Sequence, residues 1–426
     1  MCEAYGGGAE GEISGLRQDL MQLRIEVDAL VDCLLSAGRL DQVRFLVHLH
    51  RRRFAAACAT HGLSLDVRFE AAVGVQAVAC NVGLFAGPTA MRVLREASMS
   101  VSSTAGDILG ALCPGHLYVC GGFEGALALS SVERLDPRSG GWEALPPMTE
   151  ARQYTCSGVI DRRIYVCGGW GGPLPVRSVE RFDPDAFVWE TMPPMLSARW
   201  GAAAGVVGGK LYVCGGLDQD RVSLNSVERF DPLAATVTAA IAGESPEATD
   251  FSLAGRAAAP PWEVIPAMSE CRGWPAAATL RGHLYCLGGR DEMREPRSSA
   301  ERLGPEHDSW QQLPPMIGQR AGNAAATVAG RLYVCGGAFG STMLNSAERY
   351  DPSADAWESL PPMESRRSYL SVASLAGEFY VFGGSDGGQC LDTGERFSPM
   401  LGVWTPLPPM LESRGRSGAA AAGISC

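Results

Sequence analysis

The sequence predicts an all-β protein folded as a six-bladed β-propeller. Two adjacent glycines follow a short apolar stretch six times, and the first glycines of these pairs lie 47, 47, 73, 48 and 47 residues apart. A Glu-Arg pair and a Trp follow each Gly pair in the same register. A fixed period near 50 residues is typical of propeller blades or of a solenoid. The first glycines are Gly121, Gly168, Gly215, Gly288, Gly336 and Gly383.

Each repeat predicts four short strands. In the fifth repeat these are residues 320–328, 331–335, 345–350 and 356–360, which are rich in Val, Leu and Tyr and are bounded by Gly, Asp-Pro and Pro-Pro. Six such sheets arranged around an axis bury one another's faces and leave only short edges. We expect the Gly pair to permit a close backbone approach and the Trp to lie between neighbouring blades.

The two ends of the propeller predict how the ring closes. An Arg precedes the first glycine by 16 residues in five repeats, whereas the first repeat has Ala105 at that position. The strand missing from the first repeat is present at the other end, in residues 414–425. We therefore expect the C-terminal strand to complete blade one.

The 73-residue interval indicates an insertion in blade three. About 25 residues, roughly 233–257, separate the third and fourth strands and are rich in Ala, Gly, Ser, Thr and Glu. They predict a surface loop on the face opposite the loops that follow the Gly pairs. A private docking site is one interpretation, and a tolerated, disordered insertion is the one we favour.

The residues before the propeller predict a helical segment at 1–60 and an uncertain linker or small β-leaning region at 61–113. A heptad pattern is typical of a short coiled coil that would make a homodimer, and an amphipathic helix packed within the chain is an equal alternative. Its apolar positions are Ile13, Leu16, Leu20, Leu23, Val27, Leu30 and Leu34.

Composition excludes several classes of partner. The 426 residues carry a net charge of −11 with a pI near 5.2, and no long basic tract is present, which argues against nucleic acid and anionic membranes. No apolar run is long enough to span a bilayer and no secretory signal begins the chain, so we expect the cytoplasm or the nucleus.

Cys120, Cys167, Cys214 and Cys335 share the position before the Gly pair, and Phe382 fills it in the last repeat. This favours buried thiols over disulfides.

The repeat resembles the kelch repeat, and among kelch proteins it is most similar to the propellers of the Kelch-like substrate adaptors. The resemblance rests on the Gly pair, the Glu-Arg, the Asp-Pro, the Trp and the Pro-Pro-Met, and it covers residues 114–426. It implies a propeller closed by the C-terminal strand and a partner peptide bound on one face. Those adaptors carry BTB and BACK domains that recruit a cullin ubiquitin ligase, and neither is recognisable in the first 113 residues.

The sequence offers little chemistry for catalysis. The propeller has three His, no metal-ligand spacing and no phosphate loop or nucleophile elbow. We therefore predict no cofactor, no metal and no enzymatic activity. An enzyme acting on sugars or by redox chemistry remains the alternative from another class, and an actin-binding or cytoskeletal protein is the alternative within binding.

Positions that vary between repeats indicate where a partner binds. The resemblance places the binding face at the loops after the Gly pairs and at the segments that lead into the first strands, where this chain is rich in aromatic residues and Arg, the types that most often anchor interfaces. Exposed rings there would form the wall of an apolar pocket, with Arg290 and Arg416 available for a carboxylate. The other interpretation is that the rings fold inward and plug the central channel. The predicted partner-binding residues are Phe123, Tyr154, Trp170, Trp200, Trp274, Arg290, Tyr369 and Arg416.

Overall fold

The computed structural model describes residues 115–125, 127–236, 260–304 and 309–415. The predicted helical segment at 1–60, its coiled coil, the region at 61–113, most of the blade-three insertion and Arg416 lie outside the described residues. All described residues belong to Leu109–Cys426, the second of the two units into which the chain divides.

Six antiparallel sheets form the blades of a propeller. Blade one has β1 (Leu117–Glu124), β2 (Leu127–Leu135) and β3 (Trp142–Leu145). Blade two has β4 (Cys156–Ile160), β5 (Arg163–Cys167), β6 (Val179–Asp183) and β7 (Val188–Met192). Blade three has β8 (Ala203–Val207), β9 (Lys210–Cys214), β10 (Val227–Phe230) and β11 (Trp262–Ile265), and a helical turn at residues 232–236 follows β10.

The second half repeats this order. Blade four has β12 (Ala276–Leu280), β13 (His283–Leu287), β14 (Ala300–Leu303) and β15 (Gln311–Leu313). Blade five has β16 (Ala324–Val328), β17 (Arg331–Cys335), β20 (Ala347–Asp351) and β21 (Ala356–Leu360), with a small hairpin of β18 (Ala338–Phe339) and β19 (Thr342–Met343). Blade six has β22 (Ser371–Leu375), β23 (Glu378–Phe382), β24 (Gly394–Ser398) and β25 (Val403–Leu407).

The strands predicted for the fifth repeat are nearly those observed. The second and fourth have the predicted bounds, and the third is shifted by only one or two residues. The first strand begins four residues later than predicted, at Ala324. Gly322, two residues before it, has a φ of +65°, a left-handed conformation that a regular strand does not contain.

Apolar cores lie at the interfaces between blades. One cluster joins Tyr118 and Cys120 of blade one to Ile164 and Phe182 of blade two, and further clusters join each later pair of neighbours. Another cluster packs blade six against Leu117 of blade one. The described part of the chain therefore has a core at all six interfaces, as a closed ring requires.

The Gly pair brings the backbones of neighbouring blades together, as predicted. The first glycine of each pair has a φ between +57° and +64°. A Cβ on Gly168 would lie 2.5 Å from the carbonyl oxygen of Arg199 in the next blade. The amide of Gly169 donates a hydrogen bond of 2.9 Å to the same oxygen. A side chain at the first position would block this bond, which recurs at every interface.

The predicted position of the Trp between blades is confirmed. Each indole Nε1 donates to a proline carbonyl of the preceding blade, as Trp189 does to Pro146 over 2.9 Å. Trp142 closes the series by donating to Pro408 of blade six over 3.0 Å. The other bonds are Trp262 to Pro193, Trp310 to Pro266, Trp357 to Pro314 and Trp404 to Pro361.

The recurrent Arg is structural, as its repetition predicts. In blade two the buried Arg152 donates to the carbonyl oxygens of Gly168 and Ser178 and pairs with the buried Glu180 at 2.8 Å. Glu180 in turn accepts the backbone amide of Thr149. A buried charge is tolerated because it is paired and hydrogen-bonded. The same arrangement recurs at Arg199, Arg272, Arg320, Arg367 and Arg414.

The end of the described chain contacts blade one. Arg414 bonds to the carbonyl oxygens of Gly121 and Ser131, and the amide of Gly415 donates to the carbonyl of Phe123. The chain after Gly415 lies outside the described residues, and so does the predicted fourth strand of blade one. The described contacts are those expected where that strand begins.

The cysteines before the Gly pairs are buried thiols, as predicted. Cys120, Cys167, Cys214 and Cys335 are at most 1% exposed, and the described cysteines are free. Burial raises the pKa of the Cys120 and Cys335 thiols to about 12. They act as small apolar groups in the core.

Among the described residues, no helix has the length and apolar character needed to cross a membrane.

Candidate protein-interaction face

Two sets of loops meet at one end of the propeller, here called the Gly-pair face. One set follows the Gly pairs, and the other leads from each recurrent Arg into the first strand. Backbone bridges join the two sets in every blade, as Gln153 joins Trp170 and Gly273 joins Arg290. The sequence placed these loops on one face, and the structure puts them in direct contact.

A chain of backbone hydrogen bonds runs around the axis at this face. The amide of Gly201 donates to the carbonyl of Tyr154, Trp274 to Gly201, Gly322 to Trp274, and Tyr369 to Gly322, over 2.7 to 2.9 Å. All five residues have a φ between +54° and +65°. Tyr and Trp rarely adopt this conformation, and such residues often mark functional sites. The bonds fix the position of the aromatic side chains relative to the axis.

Large and small residues alternate around this chain. A Cβ on Gly201 would collide with the indole of Trp274, and a Cβ on Gly322 would lie 2.9 Å from the ring of Tyr369. Trp274 and Tyr369 thus each cover the glycine of the preceding blade. The alternation explains how three aromatic side chains fit at one end of a narrow axis.

Five of the predicted residues form one aromatic cluster. The ring of Trp200 lies 5.0 Å from Tyr154, 5.2 Å from Trp170 and 5.5 Å from Trp274, measured between centroids. Tyr369 lies 5.3 Å from Trp274 and 5.7 Å from Tyr154. Edge-to-face pairs at these distances stabilise one another. The aromatic cluster comprises these five rings.

The cluster is less exposed than the pocket-wall interpretation requires. Trp200 is only 8% exposed, and its Nε1 donates to the carbonyl of Asp218. Tyr154, Trp170, Trp274 and Tyr369 are half-buried. The rings pack on one another across the axis, the arrangement that the inward-folding interpretation describes. Phe123 lies near the end of β1 and is not one of these five rings, and Arg416 lies outside the described residues.

Arg290 lies against the aromatic cluster. Its guanidinium carbon is 3.9 Å from the centroid of a Trp274 ring, the distance of a close cation–π contact. Burial lowers the pKa of Arg290 below its usual value. The structure therefore joins six of the eight predicted residues at one site.

Sequence reasoning missed a group of exposed apolar side chains around the cluster. In the described chain, five of the six loops after the Gly pairs present one large apolar residue that is 48% to 84% exposed. The blade-six loop, with Asp386, Gly387, Gly388 and Gln389, presents none. The signal was the recurrence of an apolar residue two to six positions after five of the six Gly pairs. These apolar loop tips are Leu127, Leu174, Val222, Met293 and Phe339.

Comparison with known protein families identifies the repeat. Six matches to the kelch motif together cover more than half of the chain. The chain belongs to the kelch-repeat family. The matched residues are 110–149, 151–196, 198–238, 275–317, 319–364 and 366–411.

The kelch fold is also found in a solved structure with a distant sequence. The "Structure of YjhT" aligns with a TM-score of 0.55 and 15% sequence identity, covering 70% of this chain and 99% of that one. Likeness at this identity concerns the fold alone. No curated protein matches the chain by sequence.

A cavity of about 150 Å³ lies on the axis of the kelch propeller beneath the aromatic cluster. The first strands of blades two to six line it, largely with Ala side chains, and Tyr154, Trp274 and Tyr369 contribute to its wall. Its described lining contains no Asp, Glu, His, Lys or Arg. Within the described residues, no group of three His, Cys, Asp or Glu side chains is placed to hold a metal ion.

Proposed function

We propose that this kelch propeller is a protein-interaction module that binds a partner peptide or loop on its Gly-pair face without catalysing a reaction. The observation that carries the proposal is the ring of apolar loop tips around the aromatic cluster. Aromatic anchors within an apolar surround are typical of interface centres. The resemblance to the Kelch-like adaptors supports binding at the same end of the propeller.

The packing of the aromatic cluster over the axis defines how a partner would bind. Because the rings pack together over the axis, a partner would lie across the cluster rather than enter the channel. Met293 is 84% exposed and Phe339 is 53% exposed, and they belong to the loops of adjacent blades four and five. Covering such side chains removes apolar surface from water, which favours association.

The opposite face provides an internal comparison. It also exposes apolar side chains in the turns between third and fourth strands, including Leu233, Met400 and Leu401 at 73%, 90% and 69%. With Phe187, which is 41% exposed, the exposed apolar turns of the opposite face lie in blades two, three and six, whereas the apolar loop tips occupy five consecutive blades. The Gly-pair face also carries the aromatic cluster, so we favour it over the opposite face as the binding site.

The enzyme alternative lacks a supporting observation among the described residues. General acid–base catalysis requires a titratable side chain within reach of a substrate. The described lining of the axial cavity has no Asp, Glu, His, Lys or Arg, and its one thiol, Cys156, has a pKa that burial raises to about 12.

The experiment compares partner capture by three forms of the full chain. The first is the natural protein, and the second carries Leu174→Ser, Met293→Ser and Phe339→Ser on the Gly-pair face. The third carries Leu233→Ser, Met400→Ser and Leu401→Ser on the opposite face. All six side chains are largely exposed, so we expect the three forms to have similar melting temperatures.

Crosslinking and affinity capture from cell extract, followed by quantitative mass spectrometry, give the result. We expect one set of proteins to be captured by the natural and opposite-face forms and lost from the Gly-pair-face form. Loss only from the opposite-face form, or equal capture by all three, would contradict the proposed site.

A further inference from the structure

Arg290 differs from the other half-buried arginines of the described chain in having a guanidinium with no hydrogen-bond or ion-pair partner. The buried arginines pair with glutamates, as Arg152 does with Glu180. Arginines at strand surfaces pair too, as Arg229 does with Glu263. Half-buried Arg302 bonds to Gln311. The side chain of Arg290 has no hydrogen bond or ion pair to a described residue, and its Nε is buried without a partner.

The surroundings of Arg290 hold its charge in place without neutralising it. The Trp274 ring lies under the guanidinium, and burial is the main cause of the lowered pKa. Tyr369 and Tyr154 favour the charged form, whereas Arg294 opposes it. A half-buried cation of this kind is under-solvated, so an incoming anion recovers interaction that water does not supply.

No carboxylate of the described residues pairs with Arg290, and several on the Gly-pair face have other partners. Asp291 follows Arg290 directly, yet it pairs with Arg297 at 2.7 Å and accepts the backbone amide of Glu295. Asp218 accepts the amides of Asp220 and Val222 within its own loop. Asp386 does the same in blade six, with the amides of Gly388 and Gln389. These carboxylates stabilise loops and leave Arg290 without a counter-ion.

We infer that the partner supplies a carboxylate to Arg290, from an Asp or Glu side chain that apolar residues flank. This inference rests on the proposed binding face and adds the chemistry of the segment bound there. The planar guanidinium matches a carboxylate through two parallel hydrogen bonds. Met293 of the same loop and Phe339 of the next blade are the exposed apolar groups for the flanking residues.

The test selects peptides on the full-length chain from a phage-displayed library of random dodecapeptides. Four forms are used: the natural protein, Arg290→Gln, Arg138→Gln and the Gly-pair-face form defined above. Arg138 is exposed in a turn on the opposite face, so its replacement makes the same change in net charge away from the site. We expect the natural and Arg138→Gln forms to enrich peptides with Asp or Glu between apolar residues, and Arg290→Gln to lose the acidic preference.

A selected peptide and its Asp→Asn or Glu→Gln counterpart are then titrated by calorimetry. We expect the natural protein to bind the acidic peptide at least tenfold more tightly, and Arg290→Gln to bind both alike. The peptide-side substitution keeps the test valid even if Arg290→Gln folds poorly.

The outcomes separate the two proposals. Peptides that require the apolar loop tips but show no acidic preference would overturn the carboxylate inference and leave the binding face in place. Peptides whose binding is the same on the Gly-pair-face form, or no enriched peptide at all, would count against both.

Discussion

Arg414 Nη2 donates a hydrogen bond of 2.6 Å to Glu133 Oε1, although 281 residues separate the two in the chain. Both side chains are at most 2% exposed. The corresponding pairs in the other blades join residues 28 or 29 apart, as Arg367 joins Glu395. The Arg–Glu ion pair that recurs in every blade therefore connects, in blade one, the last described residues to the first blade.

Replacing Arg414 with Met should destabilise the propeller strongly and open it at one interface. The change leaves Glu133 buried without its cation, a loss of about 3 to 5 kcal/mol. Arg367→Met removes an equivalent pair inside blade six and should lower the melting temperature by a similar amount. Only Arg414→Met should release the C-terminal residues to limited proteolysis. Equal proteolysis of the Arg414→Met and Arg367→Met forms would contradict closure through this pair.

Replacing Trp189 with Phe should weaken the interface between blades one and two. The indole loses its 2.9 Å hydrogen bond to the Pro146 carbonyl, and we expect a loss of about 1 to 2 kcal/mol in the free energy of unfolding. Val188→Ala changes the adjacent, 46% exposed residue of the same strand and should cost less than about 0.5 kcal/mol. Urea denaturation measures the free energy of unfolding of both variants. Equal losses would mean that the indole hydrogen bond to Pro146 does not stabilise the interface.

The fold followed from the sequence because its determinants repeat. Gly168, Trp189 and Arg152 each recur in register, and comparison between repeats separated these structural positions from variable ones without coordinates. The contact between the end of the chain and blade one was predictable for the same reason, since Arg414 supplies the residue that blade one lacks.

The candidate site was only partly predictable, because its properties depend on packing between blades. The sequence placed Trp200 on the binding face as an exposed ring, but its burial arises from contacts with Tyr154 and Trp274, which come from other repeats. Likewise, the sequence shows an apolar residue at Met293 but does not show that its side chain is 84% exposed.

Adding a methyl group at Gly201 should disturb the aromatic cluster. The new Cβ would overlap the indole of Trp274, and the φ of +60° would be strained by any side chain. Gly208 has nearly the same φ, +57°, and a methyl group added there would meet nothing within 4 Å, so Gly208→Ala isolates the backbone strain. We expect Gly201→Ala to lower the free energy of unfolding by about 1 to 3 kcal/mol more than Gly208→Ala and to change the near-ultraviolet circular dichroism. Matching spectra and stabilities for the two variants would show that Trp274 moves freely.

The buried thiols predict that the propeller loses stability at alkaline pH. Burial raises the pKa of Cys120, Cys156, Cys286 and Cys335 from 9.0 to about 12. In the unfolded chain these thiols ionise near pH 9, whereas in the folded chain they stay protonated. The unfolded state therefore binds fewer protons between about pH 9 and pH 12, and stability falls as pH rises through that range.

Replacing one of these cysteines with Ala should reduce the alkaline loss, whatever it does to stability at neutral pH. Between pH 8 and pH 10, each thiol removed should decrease the fall in the free energy of unfolding by about 1.4 kcal/mol. Urea denaturation of the natural protein and of Cys335→Ala at both pH values measures this difference. Val334→Ala is the control because it truncates the adjacent buried side chain, which has no titratable group, and should leave the pH 8 to pH 10 difference unchanged. If Cys335→Ala behaves like the control, water reaches the Cys335 thiol and the packing beside the Gly pair is looser than the structure shows.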